Sequence, residues 1–243
     1  MKTKVVLAIV AGMSLIFSSC EEFGEFITPS NNVTTQTRTV TGYSGLDVSH
    51  AFNVFVNFSE TEESIIVEAN ENLHSIIVVE ERNGMLTIKL KDGTHVRWGD
   101  VTLNVYITTG YLTEFDASGA SDIILNDPLI AGDVVIDASG ASTFKGELQA
   151  DQVICDISGA SDLDLTGTAG YMRLDASGGS TMKDYVFSVD WFDADLSGAS
   201  DAYVTINERI DLQASGASDL HYRGSGQINS IDLSGASNIH RTD

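Results

Sequence analysis

Seven copies of one four-residue phrase recur through the second half of the chain, and their spacing restricts the fold more than any other feature. They are Ser118-Gly119-Ala120-Ser121, Ser139-Gly140-Ala141-Ser142, Ser158-Gly159-Ala160-Ser161, Ser177-Gly178-Gly179-Ser180, Ser197-Gly198-Ala199-Ser200, Ser215-Gly216-Ala217-Ser218 and Ser234-Gly235-Ala236-Ser237. Successive first serines lie 21, 19, 19, 20, 18 and 19 residues apart. A fixed short period marks a solenoid, in which stacked repeats bury a continuous core that one repeat cannot bury alone.

The flanking residues say what each repeat is made of. Three positions before the first serine stand Phe115, Ile136, Cys155, Leu174, Ala194, Leu212 and Ile231, and one position before it Ala117, Ala138, Ile157, Ala176, Leu196, Ala214 and Leu233. Between them lie Asp116, Asp137, Asp156, Asp175, Asp195, Gln213 and Asp232. Apolar, polar, apolar is the period-2 pattern of a half-buried strand. Two positions after the motif an apolar residue returns, as in Ile123, Phe144 and Leu163. Each repeat therefore reads as strand, tight corner, second strand and variable return. The corner glycines Gly119, Gly140, Gly159, Gly178, Gly198, Gly216 and Gly235 suit a tight turn of the backbone, and the small alanine suits its cramped inside.

A repeat of about 19 residues without 3.6 spacing predicts an all-β chain folded as a parallel β-helix, or β-solenoid. Coils about 4.8 Å apart make the repeat half a rod about 29 Å long. The chirality of parallel crossovers predicts a right-handed coil. Residues 38–110 lack the motif but alternate apolar and polar, with Asn83-Gly84 as a type I′ hairpin signal. They are expected to join residues 111–243 in one unit, as a less regular β part.

The N-terminus reads as a targeting segment. Lys2 and Lys4 precede an apolar run from Val5 to Phe17, followed by Ser18-Ser19-Cys20. This resembles a bacterial lipoprotein signal over residues 1–20, with Cys20 as the lipidated residue and the membrane as its partner; an ordinary secretory signal is the alternative. Residues 21–37 read as a tether. Cys155, at an apolar ladder position, reads as a small core hydrophobe.

Charge bounds the partners. The chain has 35 acidic against 13 basic residues and a net charge of −22, which excludes phosphate-neutralising contact with nucleic acid and disfavours anionic polysaccharides. Stacking would set Asp116, Asp137, Asp156, Asp175 and Asp195 in one outward row. Two such charges in water repel by roughly 0.9 kcal/mol. Hydrogen bonds from serine hydroxyls and corner amides would offset this, or a hard cation such as calcium would bridge the carboxylates. Seven serine pairs argue against a serine nucleophile, which is needed once beside one base. The histidines His50, His74, His95, His221 and His240 show no metal-binding spacing such as His-Glu-x-x-His and read as surface or satisfied residues. Arg173 and Asp193, beside Asp175 and Asp195, read as an ion-pair patch and form the one place where a glycan-active enzyme site is weighed.

The phrase Asp156-Ile157-Ser158-Gly159-Ala160-Ser161-Asp162, with Tyr43-Ser44-Gly45-Leu46-Asp47-Val48 upstream, resembles the auto-transporter adhesin, head GIN domain family, which includes many lipoproteins of Bacteroidetes. The resemblance covers about residues 38–243. It implies a β-helix-type fold and an adhesive role, and it brings no catalytic residues. The resulting expectation is a non-enzymatic, lipid-anchored protein of the outer membrane, surface-exposed or periplasmic, that binds a glycan or protein ligand. The alternatives are a polysaccharide-active β-helix enzyme and a structural solenoid that oligomerises end to end.

Overall fold

The strands of the chain stack into a β-solenoid. The computed structural model describes residues 26–97 and 99–242, so Cys20 and the signal-like residues before it lie outside the described residues. The chain enters through β1 (Phe26–Ile27) and β2 (Val33–Arg38) and turns its first corner between β3 (Gly45–Val48) and β4 (Asn53–Phe58). It continues through β5 (Ser64–Asn70), β6 (Ile77–Arg82), β7 (Met85–Leu90), β8 (His95–Val96) and β9 (Leu103–Thr109). From β10 (Glu114–Ala117) and β11 (Asp122–Leu125) it climbs coil by coil. The climb runs through β12 (Leu129–Ala138), β13 (Thr143–Ile157), β14 (Asp162–Ala176), β15 (Thr181–Lys183) and β16 (Phe187–Leu196). It ends in β17 (Asp201–Ala214), β18 (Asp219–Arg223), β19 (Gln227–Leu233) and β20 (Asn238–Arg241).

Pairing in the climbing part is parallel and joins equivalent positions. β13 on β14, for example, sets Phe144 against Leu163, Cys155 against Leu174 and Asp156 against Asp175. The return is more regular than the sequence suggests: β13 and β14 run unbroken from one corner to the next. Apolar positions before and after each corner face inward, and Phe115, Ile136, Phe144, Cys155, Leu163 and Leu174 are buried. The Phe115 and Phe144 rings meet edge to face at 5.0 Å. Burying side chains of this kind contributes roughly 1.5–3 kcal/mol each. Burial also pushes the Cys155 thiol up, so it packs as an inert small side chain.

The N-terminal part belongs to the same stack. β3 pairs with β10 and β4 with β11, both parallel, and β7 and β9 extend β3 and β4 in parallel on the far side. Beyond them the pairing turns antiparallel: β6 on β7, β5 on β9 and β2 on β5. These strands cap the stack. The Asn83-Gly84 turn joins β6 to β7 with both residues at positive φ, 54° and 86°, as a type I′ hairpin requires.

Two expectations are corrected here. The tether over residues 21–37 is structured in its described part: Phe26–Ile27 pair with His95–Val96, and Val33–Arg38 form the edge strand on β5. The polar run Thr34-Thr35-Gln36-Thr37-Arg38 lacks apolar alternation because it lies on a largely solvated edge, where polar and charged residues discourage further pairing. The second correction concerns the corner itself. The alanines Ala120, Ala141, Ala160, Ala199, Ala217 and Ala236 are exposed, whereas the second serines Ser121, Ser142, Ser161, Ser180, Ser200 and Ser218 are buried. The corner turns the chain so that the second serine, not the alanine, faces the core.

The buried serines form an internal ladder. Ser142, Ser161, Ser180, Ser200 and Ser218 each donate Oγ–H to the carbonyl of the first serine of the same motif, at 2.7–2.9 Å. The hydroxyl also accepts the backbone N–H of the serine one coil below, as in Ser121 to Ser142, Ser142 to Ser161 and Ser200 to Ser218. The hydroxyls expected to serve the aspartates thus serve the backbone instead, which explains why a polar residue recurs inside the core.

Candidate functional site

Parallel register turns residues about 19 apart into neighbours, and that is how the outer face acquires its chemistry. The acidic row is in register as its spacing predicts: Asp116 with Asp137, Asp137 with Asp156, Asp156 with Asp175 and Asp175 with Asp195. It also extends below, where Asp116 pairs with Asp47, whose carboxylate accepts a hydrogen bond from Thr87 at 3.1 Å. Asp47 lies in the upstream stretch because the first corner is a disguised copy of the motif. Ser49-His50-Ala51-Phe52 occupies the place of Ser118-Gly119-Ala120-Ser121, with His50 at the glycine position at φ 69°.

The row is electrostatically uncomfortable. Partial burial, then the neighbouring Asp47, Asp137 and Glu114, holds the Asp116 carboxyl above the usual carboxylate range. Asp137 is raised in the same way by burial, Asp156 and Glu114. A raised carboxyl pKa means that the folded chain binds its proton more tightly than the unfolded one. The penalty is therefore fully present above the folded pKa and is relieved as pH falls through it towards about 3.9. Asp116→Asn is expected to raise Tm by about 1–2 °C at pH 7, since the site is only half-buried. The gain should vanish by about pH 4. Calorimetry at the two pH values checks this, and an unchanged or lower Tm at pH 7 contradicts it.

Two rows away on the same face lies a group that sequence reading does not single out. Tyr171, Trp191 and Arg209 are in register on β14, β16 and β17. Trp191 is 48% exposed, and the Arg209 guanidinium sits 5.4 Å from its ring centroid. Carboxylates fix the polar edges of all three. The Tyr171 hydroxyl donates to Asp193 at 3.2 Å, the Trp191 indole N–H donates to Glu208 at 3.2 Å, and Arg209 pairs with Asp211. Asn229 donates to the other oxygen of Asp211 at 2.6 Å. The hydrogen bonds from Arg209 and Asn229 hold the Asp211 carboxyl below its ordinary range, so it stays an ionised acceptor. Arg173 stands in register with Asp193, but the two form no ion pair among the described residues. Asp193 instead accepts from Tyr171, in a different group one outward row along.

A half-exposed indole with the Arg209 guanidinium over its ring, in register with a tyrosine and edged by anchored carboxylates, offers apolar surface with hydrogen-bonding groups around it. That combination suits the C–H face and hydroxyls of a sugar ring. The signal in the sequence was present but dispersed: Tyr171, Trp191 and Arg209 are one coil apart, and only the register makes them adjacent.

No helix among the described residues is long and apolar enough to cross a membrane. No curated protein matches the chain in sequence. Solved structures resemble it along most of its length. A "putative adhesin" of Bacteroides fragilis NCTC 9343 superposes with a TM-score of 0.79 at 21% identity, covering 89% of this chain and 100% of that one. A "putative lipid binding protein" of Parabacteroides distasonis ATCC 8503 gives 0.73 at 17% identity, covering 90% and 100%. A "putative adhesin" of Parabacteroides merdae ATCC 43184 gives 0.72 at 18% identity, covering 90% and 99%. At these identities the likeness speaks for the fold alone. The repeated corner, the stack and a family-model match over residues 42–226 agree: the chain belongs to the family described as "Putative auto-transporter adhesin, head GIN domain".

Proposed function

We propose that this protein is a non-enzymatic, lipid-anchored adhesin of the cell envelope that holds a neutral glycan along the Tyr171–Trp191–Arg209 face. The observation that carries the reading is the exposed Trp191 platform, ringed by Asp193, Glu208, Arg209 and Asp211 in fixed geometry. Coils at a constant spacing suit a polymer, because successive sugars meet successive rows and weak contacts add along the rod. The net charge of −22 favours a neutral over an acidic polymer. Asp211 is kept ionised by Arg209 and Asn229, a state fit for accepting hydroxyl protons in hydrogen bonds rather than for acid catalysis. Anchoring through a lipid on Cys20 rests on the signal-like sequence before it.

The test has two arms. Calorimetric titration of the purified domain with a panel of neutral and acidic glycans should give saturable binding to a neutral polymer that falls at least tenfold in Trp191→Ala. Absence of binding across the panel, or binding indifferent to Trp191→Ala, rejects the glycan face. Protease treatment of intact cells should remove the wild-type protein from the surface, and Cys20→Ala should abolish membrane retention. Retention of Cys20→Ala in the membrane fraction rejects the anchor.

A further inference from the structure

We propose that Asp219, His221 and His240 form a binding site for a divalent transition-metal ion, zinc being the best fit, that ties together the last coils of the solenoid. The three residues belong to β18 and β20. Asp219 and His221 are two apart on one strand and so project from the same outward face, and His240 is the register partner of His221 on the next coil. One ligand atom from each lies within 4.8 Å of the other two. No sequence motif announces this group, because nineteen residues separate the two histidines; one turn of the solenoid closes that gap.

The surroundings bring the two rings together and orient the carboxylate. The imidazoles of His221 and His240 lie nearly parallel, with centroids 4.9 Å apart and an interplanar angle of 19°. Tyr203 stacks on the other side of His221 at 4.6 Å and 6°, which fixes that ring's plane. The backbone N–H and side-chain amide of Asn238 both donate to Oδ1 of Asp219, at 2.9 and 3.0 Å. This orients the carboxylate, and its Oδ2 accepts no hydrogen bond among the described residues. Outer partners of this kind set the aim of first ligands and are worth 10–100-fold in metal affinity.

Donor chemistry selects the ion. Two imidazoles and one carboxylate suit zinc, copper or nickel, whereas calcium and magnesium prefer oxygen ligands throughout. Tetrahedral zinc with bonds near 2.0–2.1 Å needs ligand atoms about 3.3 Å apart. The atoms lie within 4.8 Å of one another; because imidazole lone pairs lie in the ring plane, closing on one ion requires the exposed His240 ring to rotate out of its stack on His221. His240 is exposed and His221 and Asp219 are half-buried, so water has access to the remaining coordination position. An ion there would link β18 to β20 across the coil boundary and stabilise the end of the stack by linkage.

Calorimetric titration of the whole mature domain with zinc chloride, in millimolar calcium to occupy oxygen-only sites, tests the proposal. One equivalent of zinc should bind saturably, and Tm should rise with zinc. His240→Ala, at an exposed position, and Asp219→Asn should each weaken binding at least tenfold. The control His50→Ala with His95→Ala should leave binding at wild-type strength. In wild type, NMR should show zinc perturbing two imidazole spin systems, those lost in His221→Ala and His240→Ala. Lack of saturable binding, or wild-type affinity in His240→Ala, overturns the site. Because the glycan titration depends on Trp191, in a register row that holds none of Asp219, His221 and His240, failure of either proposal leaves the other standing.

Discussion

Gly159→Ala is expected to destabilise the solenoid by more than about 3 kcal/mol, the sum of a conformational and a steric cost. Gly159 has φ 76°, a left-handed conformation that costs a residue with a Cβ roughly 1–2 kcal/mol. Its methyl group would also overlap the Gly140 carbonyl oxygen in the coil below. That carbonyl cannot retreat, since it accepts the Ala160 N–H at 2.8 Å. The same contact recurs at Gly178, Gly198, Gly216 and Gly235, each against the glycine one coil earlier, so the corners form a column of glycines in backbone contact. Gly42→Ala separates the two costs. Gly42 has φ 86°, but a Cβ there meets nothing within 4 Å, and the loss should stay near 1–2 kcal/mol. Urea unfolding of both variants measures the difference; equal losses would mean that the close stacking contributes nothing.

The second large effect belongs to the serine ladder. Ser161→Ala is expected to cost about 2–3 kcal/mol, because it leaves a buried N–H and a part-buried carbonyl without their partner. The Ser161 hydroxyl donates to the Ser158 carbonyl at 2.8 Å and accepts from the Ser142 N–H at 3.4 Å. Ser121 provides the contrast within the same protein. Its buried Oγ has no hydrogen-bond partner, its corner differs in having Ala120 as well as Gly119 at positive φ, and Phe52 takes the serine's place one coil below. Ser121→Ala should therefore change stability by less than about 0.5 kcal/mol or raise it slightly. Comparable losses at positions 121 and 161 would show that the hydroxyl ladder is not what keeps serine in the core. In a solenoid each coil contacts only its neighbours, so hydrogen exchange in Ser161→Ala should quicken most around residues 139–180.

The ladder also explains how far the sequence could be read. The inward rows at Phe115, Ile136, Cys155 and Leu174, and at Ile123, Phe144 and Leu163, were legible because strand periodicity is local and repeats in every coil. The family resemblance rests on the same repetition. The identity of the inward corner residue was not legible. Alanine is the apolar member of the motif and serine the polar one, so transfer energetics alone places alanine inside. The positive φ at glycine reverses the side-chain alternation, and the hydroxyl finds partners only in the stacked arrangement.

The N-terminal part shows the same division from the other side. Its hairpin at Asn83-Gly84 is a local feature and stands in the sequence. Its two coil layers do not, because the disguised corner at Ser49-His50-Ala51-Phe52 has lost the glycine, and because β7 and β9 join the stack below β3 and β4, out of chain order. The edge strand Val33–Arg38 has no inward row to betray it, since it caps the stack with polar residues against solvent.

The sequence by itself determined the class of fold, the length of the coil, the inward rows and the outward aspartate row, all of which follow from spacing within a few tens of residues. Only the tertiary structure decided which coils lie beneath the first repeat, which corner residue faces the core, and which distant side chains meet. Tyr171 with Trp191, Trp191 with Arg209, and His221 with His240 are each one coil apart in the chain and one strand spacing apart in space. The physical reason is that parallel stacking converts a period in sequence into contact on a surface, and the register that makes the conversion is set by the packing of whole coils, not by any one of them.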